Sequence, residues 1–435
     1  MTPLQETLAQ RIPVWRADLR DLVRRYGNEI VSEVTLGRLV GGLREVRAVL
    51  CDTSVVDPEW GLFIRETPVR ELADCGAEEL FYLMCIGERP DAATLAGLVR
   101  EIQRRRPIPE AVWRLVASLP KTMSPMRQFS IATLALGADS VFCRRYDEGL
   151  EREALWTAAL EDALTLMAQL PVLSAGLYRM AVHGAAPIPP DPTLEYAENW
   201  AAMLGLEQDN GRFSAFLRRY VVVHSDHEGA NASVLAARVV ASAHADLYGS
   251  LSAAMNGLAG PLHGQASQTS LEFVRDLQNR FGDHPTEDQI AGRVEDLLAR
   301  RRVIPGFGHA ALRGPDPRFA MLRELGDALC PADATFQIVK TLERVVPPIL
   351  KRQGKVRMPY PNVDAISGGL LSHFGVRDPG FLTVMFSTAQ SVGLCAQLVL
   401  RHALMTPIIR PRSVTTVWLR QRLAAGDSGS ESTSG

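Results

Sequence analysis

Apolar residues in this chain recur mainly at intervals of three and four positions, the spacing that places them on one face of an α-helix. This pattern occurs at Leu19–Tyr26, Glu78–Ile86, Leu95–Arg104, Glu153–Leu170, Asn199–Leu204, Gly211–Val223 and Phe319–Leu329. Alternating runs rich in β-branched residues are nearly absent, and the best strand candidate is the short segment Asn28–Val34. The pattern therefore predicts an all-α protein.

Clusters of glycine and proline separate the helical runs and predict loops between them. They lie at Gly184–Pro192, Gly282–Pro285, Pro305–Gly308, Gly314–Pro317, Pro359–Pro361 and Pro379–Gly380. Residues 426–435 contain only small, polar and acidic residues, which predicts a disordered tail.

The segment Phe381–Leu400 is uncharged and long enough to span a lipid bilayer. It nevertheless contains six polar side chains, Thr383, Ser387, Thr388, Gln390, Ser391 and Gln397. No second segment of this kind accompanies it. We therefore predict a helix buried on all sides within a large soluble protein, and no membrane partner.

The charge balance argues against nucleic acid as a partner. The 435 residues carry 47 basic and 49 acidic side chains, a formal net charge of −2. Any bound anion must therefore be held by locally placed arginines, since only four basic residues are lysines. The six cysteines form no CxxC pair, and acidic residues interrupt the first 25 positions. These features predict reduced thiols, no targeting segment and a cytoplasmic location.

Candidate chemistry lies in segments where histidines or a carboxylate stand among small, loop-forming residues. These segments are His224–Asn231 (HSDHEGAN), Gly260–Ala266 (GPLHGQA), Pro305–Arg318 (PGFGHAALRGPDPR) and Pro359–Gly369 (PYPNVDAISGG). Histidine and carboxylate together supply a general acid and a general base that titrate near neutral pH.

Each signal has a simpler explanation when taken alone. His224 and His227 share a helix face and could bind zinc, but Glu228 follows them and no cysteine is near, so no metal is predicted. The Gly306-x-Gly308 pattern follows no clear strand and is a weak phosphate-loop signal. A single histidine beside glycine is more often structural than catalytic.

Taken in order, the motifs HSDHEGAN, AAMNGLAGPLHG, PGFGHAALRGPDPR and YPNVDAISGG closely resemble those of the citrate synthases, specifically the eukaryotic-like si-type (type I) enzymes. Further similarity extends from about residue 5 to about residue 415, including LPKTMSPMRQFSIATLAL and the C-terminal IIRPRS. The resemblance implies an α-helical homodimer. It also implies a large domain of residues 1–264 and 370–425, and a small, lid-like domain of residues 265–369.

The resemblance also assigns roles to individual residues. Asp364 matches the base that takes the α-proton of acetyl-CoA, and His263 matches the donor to the thioester oxygen. His309 matches the group that protonates the carbonyl of the 2-oxo acid. The remaining matches to the oxo-acid pocket are His224, His227, Arg318 and Arg410, with Arg410 donated by the neighbouring subunit.

Coenzyme A is implied as part of a substrate, with no tightly bound cofactor. Its phosphates and adenine need cationic and backbone contacts. The positions that match the family's contacts are Arg44, Arg152, Val303, Gly306, Gly308, Arg313, Lys355 and Asn362, with Arg152 reaching the partner's site. Each of these arginines is individually at least as compatible with a solvated surface charge.

One position departs from the family pattern, because Gln390 stands where a third arginine binds oxaloacetate. Loss of one partner of a buried charge pair typically costs ~2–5 kcal/mol, or roughly 30- to several-thousandfold in affinity.

The default interpretation is an enzyme that condenses acetyl-CoA with oxaloacetate. Two alternatives stay open: a specialised synthase with another 2-oxo acid or acyl-CoA, in primary or secondary metabolism, and a non-catalytic paralogue that binds CoA or a metabolite.

Overall fold

The computed structural model describes residues 2–206 and 211–427, which are predominantly helical. The α-helices in these residues are α1 Pro3–Tyr26, α2 Leu36–Val40, α3 Ala77–Ile86, α4 Ala92–Arg104, α5 Glu110–Ser118, α6 Pro125–Leu136, α7 Val141–Asp147, α8 Leu155–Tyr178, α9 Tyr196–Leu204, α10 Arg212–His224, α11 Ala232–Ser242, α12 Leu247–Leu258, α13 Ala266–Phe281, α14 Glu287–Ala299, α15 Pro317–Leu329, α16 Ala334–Gln353, α17 Asp364–His373, α18 Pro379–Ala403 and α19 Thr416–Asp427. The prediction of an all-α fold is confirmed.

The predicted strand at Asn28–Val34 is wrong. This segment has no regular secondary structure, and the side chains of Ile30 and Val31 are 77% and 69% exposed. Its β-branched residues therefore have neither a paired strand nor a packed face to hold them in a sheet.

A small antiparallel sheet follows instead, made of β1 Ser54–Asp57, β2 Gly61–Ile64 and β3 Thr67–Pro68. The turn between β1 and β2 is closed by Asp57, whose Oδ1 accepts the backbone N–H groups of Glu59 and Trp60 at 2.8 Å each. Gly61 follows with φ +89°, a conformation that favours glycine. These strands have at most four residues, too few for a clear alternating pattern.

Helix α18 is the segment predicted to be a buried core helix, and that prediction is confirmed. By length and composition it could cross a membrane, but 94% of its most apolar 18-residue stretch is buried inside the protein. It packs against α8, α3, α6, α10 and α12. Thr388 Oγ1 donates within the helix to the carbonyl oxygen of Val384 at 2.9 Å, whereas Thr383 Oγ1 donates to the carbonyl oxygen of Gly264 at 3.2 Å.

Helices α13, α14, α16 and α17 pack mainly with one another, whereas α15 packs on α17 and also on α10 and β2; α13 and α17 contact α18 as well. Two inter-helix ion pairs, Arg344–Glu287 and Arg352–Glu295, show that α14 and α16 run in the same direction. Of the predicted tail, residues 428–435 lie outside the described residues, whereas Gly426 and Asp427 end α19.

Candidate active site

The β1–β2 hairpin fixes the backbone of the first histidine segment. Glu228 has a left-handed φ of 62°, and its backbone N–H donates to Ser54 Oγ at 2.8 Å. In return, the backbone N–H of Val56 donates to Glu228 Oε1 at 3.1 Å. This reciprocal pair fixes the backbone next to His227.

The tip of the same hairpin contacts the segment that carries Arg318. A Cβ added to Gly61 would lie 2.4 Å from the ring of Pro317, so only glycine allows this approach. The backbone N–H of Arg313 donates to the carbonyl oxygen of Pro58 at 2.6 Å. One hairpin therefore braces two segments that are distant in sequence.

Arg318 and Asp316 form a buried ion pair beside two histidines. Arg318 Nη2 donates to Asp316 Oδ2 at 2.8 Å, and its Nε donates to Oδ1 at 3.0 Å. The Nη2 atom also lies 3.5 Å from Nε2 of His309, whose ring centroid is 5.5 Å from that of His227. Burial raises the pKa of Asp316, but the guanidinium of Arg318 outweighs it and holds the pKa below its usual value.

The hydrogen bonds of His309 define its protonation. Its Nδ1 accepts the backbone N–H groups of Ala311 at 3.1 Å and Leu312 at 3.0 Å. Two accepted N–H groups place the ring proton of the neutral form on Nε2, so the Nη2 of Arg318, 3.5 Å away, is a neighbour of this N–H and not a hydrogen-bond donor to it. Burial, with the nearby Arg318 charge, lowers the pKa of His309 to about 4, so the imidazole is neutral at pH 7.

His224 and His227 are also neutral imidazoles. Burial, with the nearby charge of Arg318, lowers the pKa of each to about 3. The Nδ1–H of His224 donates to the carbonyl oxygen of Tyr220 at 2.9 Å. Its Nε2 is buried with no hydrogen-bond partner among the described residues, and its ring contacts Phe386 of α18.

Asp364 is the first residue of α17, and one oxygen of its carboxylate is already bonded. Ser267 Oγ of α13 donates to Asp364 Oδ1 at 2.7 Å. The backbone N–H of Asp364 donates to Asn362 Oδ1 at 2.9 Å. Burial raises the pKa of Asp364, while the Ser267 hydrogen bond and the Arg318 charge oppose that rise.

Asp316 links the ion pair to the segment that carries Asp364. Its Oδ2 also accepts the backbone N–H of Val363 at 3.1 Å. His309, Arg318 and Asp364 are therefore held in one cluster through hydrogen bonds to neighbouring atoms. The sequence interpretation assigned no role to Asp316, although it stands between the Gly-Pro and Pro-Arg of the GPDPR segment.

His263 belongs to a second group of contacts, at the start of α11. Its Nε2 accepts the backbone N–H of Ser233 at 3.2 Å and lies 2.8 Å from Ser233 Oγ. A neutral ring that accepts at Nε2 carries its proton on Nδ1, and burial lowers the pKa of this histidine. Gln390 is 3% exposed, and its Nε2 lies 3.3 Å from the same Ser233 Oγ.

The two groups of contacts are neighbours without a direct bond. Within residues 2–206 and 211–427, no hydrogen bond joins His263 to His309 or Asp364. They are connected through α18, which contacts His224 through Phe386 and Ser233 through Gln390. Sequence reasoning also missed Ser233, although it follows HSDHEGAN at the start of the next helix.

The loop of Gly306 and Gly308 pairs with the segment before Asp364. The backbone N–H of Asn362 donates to the carbonyl oxygen of Gly306 at 2.9 Å, and Asn362 Nδ2 donates to that of Gly308 at 2.7 Å. Both glycines have positive φ, +77° and +94°. Three of the positions predicted to bind CoA are thus brought together.

The other predicted contacts lie on the surface. Val303 is 82% exposed, and Arg44, Lys355 and Arg410 are exposed without a hydrogen bond or ion pair to the described part of the chain. Arg152 is exposed, and its Nη2 lies 3.4 Å from the carbonyl oxygen of Met405. Arg313 donates to the carbonyl oxygens of Ala310, Ala311 and Leu312. One chain by itself does not join these arginines and Lys355 to the histidine cluster.

No group of three or more His, Cys, Asp or Glu side chains among the described residues is arranged to hold a metal ion. His224 and His227 do not point to a shared ligand: one donates Nδ1–H to a carbonyl, and the other lies against His309.

Comparison with known proteins identifies what this chain resembles. A sequence family described as "Citrate synthase, C-terminal domain" matches residues 42–412. The mitochondrial citrate synthase of Daucus carota is 38% identical over 96% of this chain and 90% of its own length. That of Saccharomyces cerevisiae is 37% identical over 95% of this chain and 88% of its own length.

A solved structure shows the same fold. The crystal structure of citrate synthase from Pyrobaculum aerophilum superposes with a TM-score of 0.78 and 26% sequence identity. The match covers 89% of this chain and 95% of that one.

The comparison contradicts the cytoplasmic location predicted from the sequence. Both relatives described above are mitochondrial proteins by name. Sparse cysteines and interrupted N-terminal apolarity are therefore insufficient to assign a compartment.

Proposed function

The chain belongs to the citrate synthase family, in its eukaryotic-like type I branch, and from this premise we propose that it converts acetyl-CoA, oxaloacetate and water into citrate and CoA. Citrate synthases are acyltransferases that convert the acyl group into an alkyl group on transfer. Acetyl-CoA is a substrate of these enzymes, and they use no tightly bound cofactor.

Asp364 is the proposed base for the methyl group of acetyl-CoA. A thioester methyl is a very weak acid in water, so its deprotonation needs a placed base together with a donor that meets the enolate oxygen. Asp364 Oδ1 is occupied by Ser267, and its Oδ2 accepts no hydrogen bond from the described residues. The proton of the methyl group therefore goes to Oδ2.

Two imidazole N–H groups are the proposed partners of the oxygens that gain negative charge. The contacts of His263 leave its Nδ1–H for the thioester oxygen, and those of His309 leave its Nε2–H for the carbonyl of oxaloacetate. The enolate carbon then attacks that carbonyl carbon, and the Nε2–H of His309 hydrogen-bonds and protonates the new alkoxide; the proton taken by Asp364 balances the one that His309 gives up, and both groups return to their starting states before the next turnover. Water finally hydrolyses the thioester and releases CoA.

These opposite hydrogen-bond patterns are the single observation that carries the proposal. One ring accepts at Nε2 and the other accepts at Nδ1, so both are neutral donors aimed away from their backbone partners. A neutral donor matches a developing oxyanion without first placing a full positive charge in a buried cleft.

Binding of CoA is proposed at the loop of Gly306 and Gly308 with Asn362, where two half-buried glycines of positive φ are bonded to the segment before Asp364. Arg313, Lys355, Val303 and Arg44 are the further contacts that we propose by resemblance. Residues 265–369 are the proposed lid by resemblance, and the packing of α13, α14, α16 and α17 mainly with one another supports this division. Its closure would exclude water from the cleft.

A homodimer completes the proposed site. Several apolar side chains near both ends of the described chain are exposed to solvent, such as Val40 at 79%, Val417 at 61% and Trp418 at 44%. A second copy would cover such surfaces. Arg410, which has no ion-pair partner in its own described chain, is then the arginine donated to oxaloacetate in the neighbouring site, and Arg152 reaches the neighbour's CoA.

Oxaloacetate is the proposed acceptor, because the relatives give no support to a different 2-oxo acid. Gln390 is the feature that tests this choice. It is buried, its side-chain amide is hydrogen-bonded to Ser233 Oγ within the described residues, and it brings no positive charge to the pocket. The dicarboxylate must therefore rely on Arg318, already bonded to Asp316, and on Arg410 of the second subunit.

Release of free thiol from acetyl-CoA, measured with oxaloacetate and with a panel of other 2-oxo acids, tests the function. We expect turnover with micromolar oxaloacetate and citrate as the product. Asp364→Asn should lower kcat by about 10²- to 10⁴-fold, the usual contribution of a general base, while oxaloacetate still binds. A binding protein without catalysis would release no thiol, and preference for another oxo acid would overturn the choice of acceptor.

A further inference from the structure

Two buried serines form a hydrogen-bonded chain behind the carboxylate of Asp364. Ser267 Oγ lies 2.7 Å from Asp364 Oδ1 and 2.9 Å from Ser367 Oγ. Ser267 is 7% exposed and Ser367 is fully buried. The chain therefore connects α13 with the first turn of α17, out of contact with bulk water.

The direction of the protons in this chain follows from the donors available. A serine hydroxyl has one proton to donate, and an ionised carboxylate has none. Ser267 must donate to Asp364, and Ser367 must then donate to Ser267. The arrangement is fixed as long as Asp364 is ionised, and it leaves Oδ2 as the oxygen without a bond.

We propose that Ser267 is a positioning residue for the reaction, which directs Oδ2 of Asp364 toward the substrate methyl group and keeps this buried carboxylate ionised. This inference rests on the proposed role of Asp364 as the base. Without the serine, either oxygen could turn to the substrate, and burial would favour the protonated acid that cannot accept a proton.

The other groups that face Asp364 do not replace this hydrogen bond. Arg318 of α15 favours the ionised form through its charge, and Asp316 opposes it. Tyr220 of α10 is a buried phenol, and burial raises its pKa well above the usual value. Ser267 is therefore the side chain within the described residues that donates a hydrogen bond directly to the carboxylate.

The test is the dependence of kcat on pH, measured by thiol release at saturating acetyl-CoA and oxaloacetate. In Ser267→Ala the acidic limb of the kcat–pH profile should move to higher pH by about one to two units. This is the shift expected when an ionised carboxylate loses a hydrogen bond. On that limb kcat should fall about ten- to one-hundredfold. The KM for oxaloacetate should stay within about twofold, and Ser267→Thr, which keeps the hydroxyl, should restore the original limb.

Ser270→Ala is the matched control, since Ser270 lies one turn further along α13, is 3% exposed, and its Oγ has no hydrogen-bond partner in the described part of the chain. Its acidic limb should coincide with that of the parent enzyme. Ser367→Ala should shift the limb in the same direction as Ser267→Ala, but by less. An unchanged limb in a folded Ser267→Ala enzyme, or an equal shift in Ser270→Ala, would overturn the inference. Activity retained in Asp364→Asn would instead overturn the proposed base.

Discussion

Asp316 holds the guanidinium of Arg318 with both of its carboxylate oxygens, and both side chains are almost completely buried. The pair is electrically neutral before any substrate arrives. Arg318 can therefore offer an incoming carboxylate only the N–H groups that Asp316 does not occupy. The same Asp316 also accepts the N–H of Val363, so substrate binding and the position of the base share one carboxylate.

Asp316→Asn should be strongly destabilising, because it leaves the charge of Arg318 buried without its partner. We expect a loss of about 3–5 kcal/mol in the free energy of unfolding and a higher KM for oxaloacetate. Chemical denaturation and steady-state kinetics measure these two quantities. Asp327→Asn is the control, because Asp327 pairs with Arg323 and Lys340 in a half-exposed position. Ion pairs of this kind contribute about 1 kcal/mol or less to the free energy of unfolding.

Gln390→Arg should improve the use of oxaloacetate, because it adds a positive charge to a pocket whose own arginine is already neutralised. A decrease in KM of about tenfold or more is expected from the usual worth of such a pair. Gln390→Met keeps the size without the charge and should bring no gain. If Gln390→Arg folds and its KM is unchanged or higher, Gln390 does not limit recognition of the second carboxylate.

His402 should make the protein less stable in acid. Burial, with Arg401 and His244 nearby, lowers the pKa of His402 to about 3, whereas an unfolded histidine titrates near 6.5. The unfolded chain therefore takes up the proton first. The stability that comes from neutral His402 is complete above about pH 6.5 and falls by ~1.4 kcal/mol per pH unit below it.

The variant His402→Phe isolates this contribution, since the ring packs against Phe142 with 4.7 Å between centroids. The free energy of unfolding of the parent minus that of the variant should decrease between pH 6.5 and pH 4.5. Glu78 and Asp162, whose pKa values burial raises to about 7 and about 6, act in the opposite direction but are common to both proteins. A flat difference for His402→Phe across this pH range would refute the prediction.

Arg410 should act across the subunit boundary of the proposed dimer. Arg410→Ala and Asp364→Asn proteins should each be nearly inactive at low oxaloacetate. Subunit exchange between them should restore about one quarter of the wild-type activity, since half of the dimers are mixed and each has one intact site. No recovery after demonstrated exchange would mean that Arg410 serves its own chain or no site at all.

The helices and the histidine segments could be predicted because each depends on local pattern. The three- and four-residue spacing predicted helices such as α4 and α10, and loop-forming neighbours distinguished His227, His263 and His309 from core histidines. Prolines indicated the helix ends less reliably, because Pro171 lies inside α8, and Pro347 and Pro348 lie inside α16.

The supporting residues could not be predicted, because their roles exist only in three dimensions. Ser267 and Asp364 are 97 positions apart, and Ser233 and Gln390 are 157 positions apart. A serine or an aspartate in a polar stretch carries no sign of such a distant partner. The β1–β2 hairpin was missed for a related reason, since its short strands are recognisable only by the segments that they brace.

The hairpin also determines when the His227 loop can be fixed during synthesis of the chain. Ser54 and Glu228 are 174 positions apart, so the hydrogen bond between them can form only after the later segment has been synthesised. A fragment that starts at residue 66 would retain Asp364, His263 and His309, together with every helix from α3 onward. It would nevertheless lack both hydrogen bonds that hold the loop of His227 to the hairpin, and we expect no competent pocket to form in it.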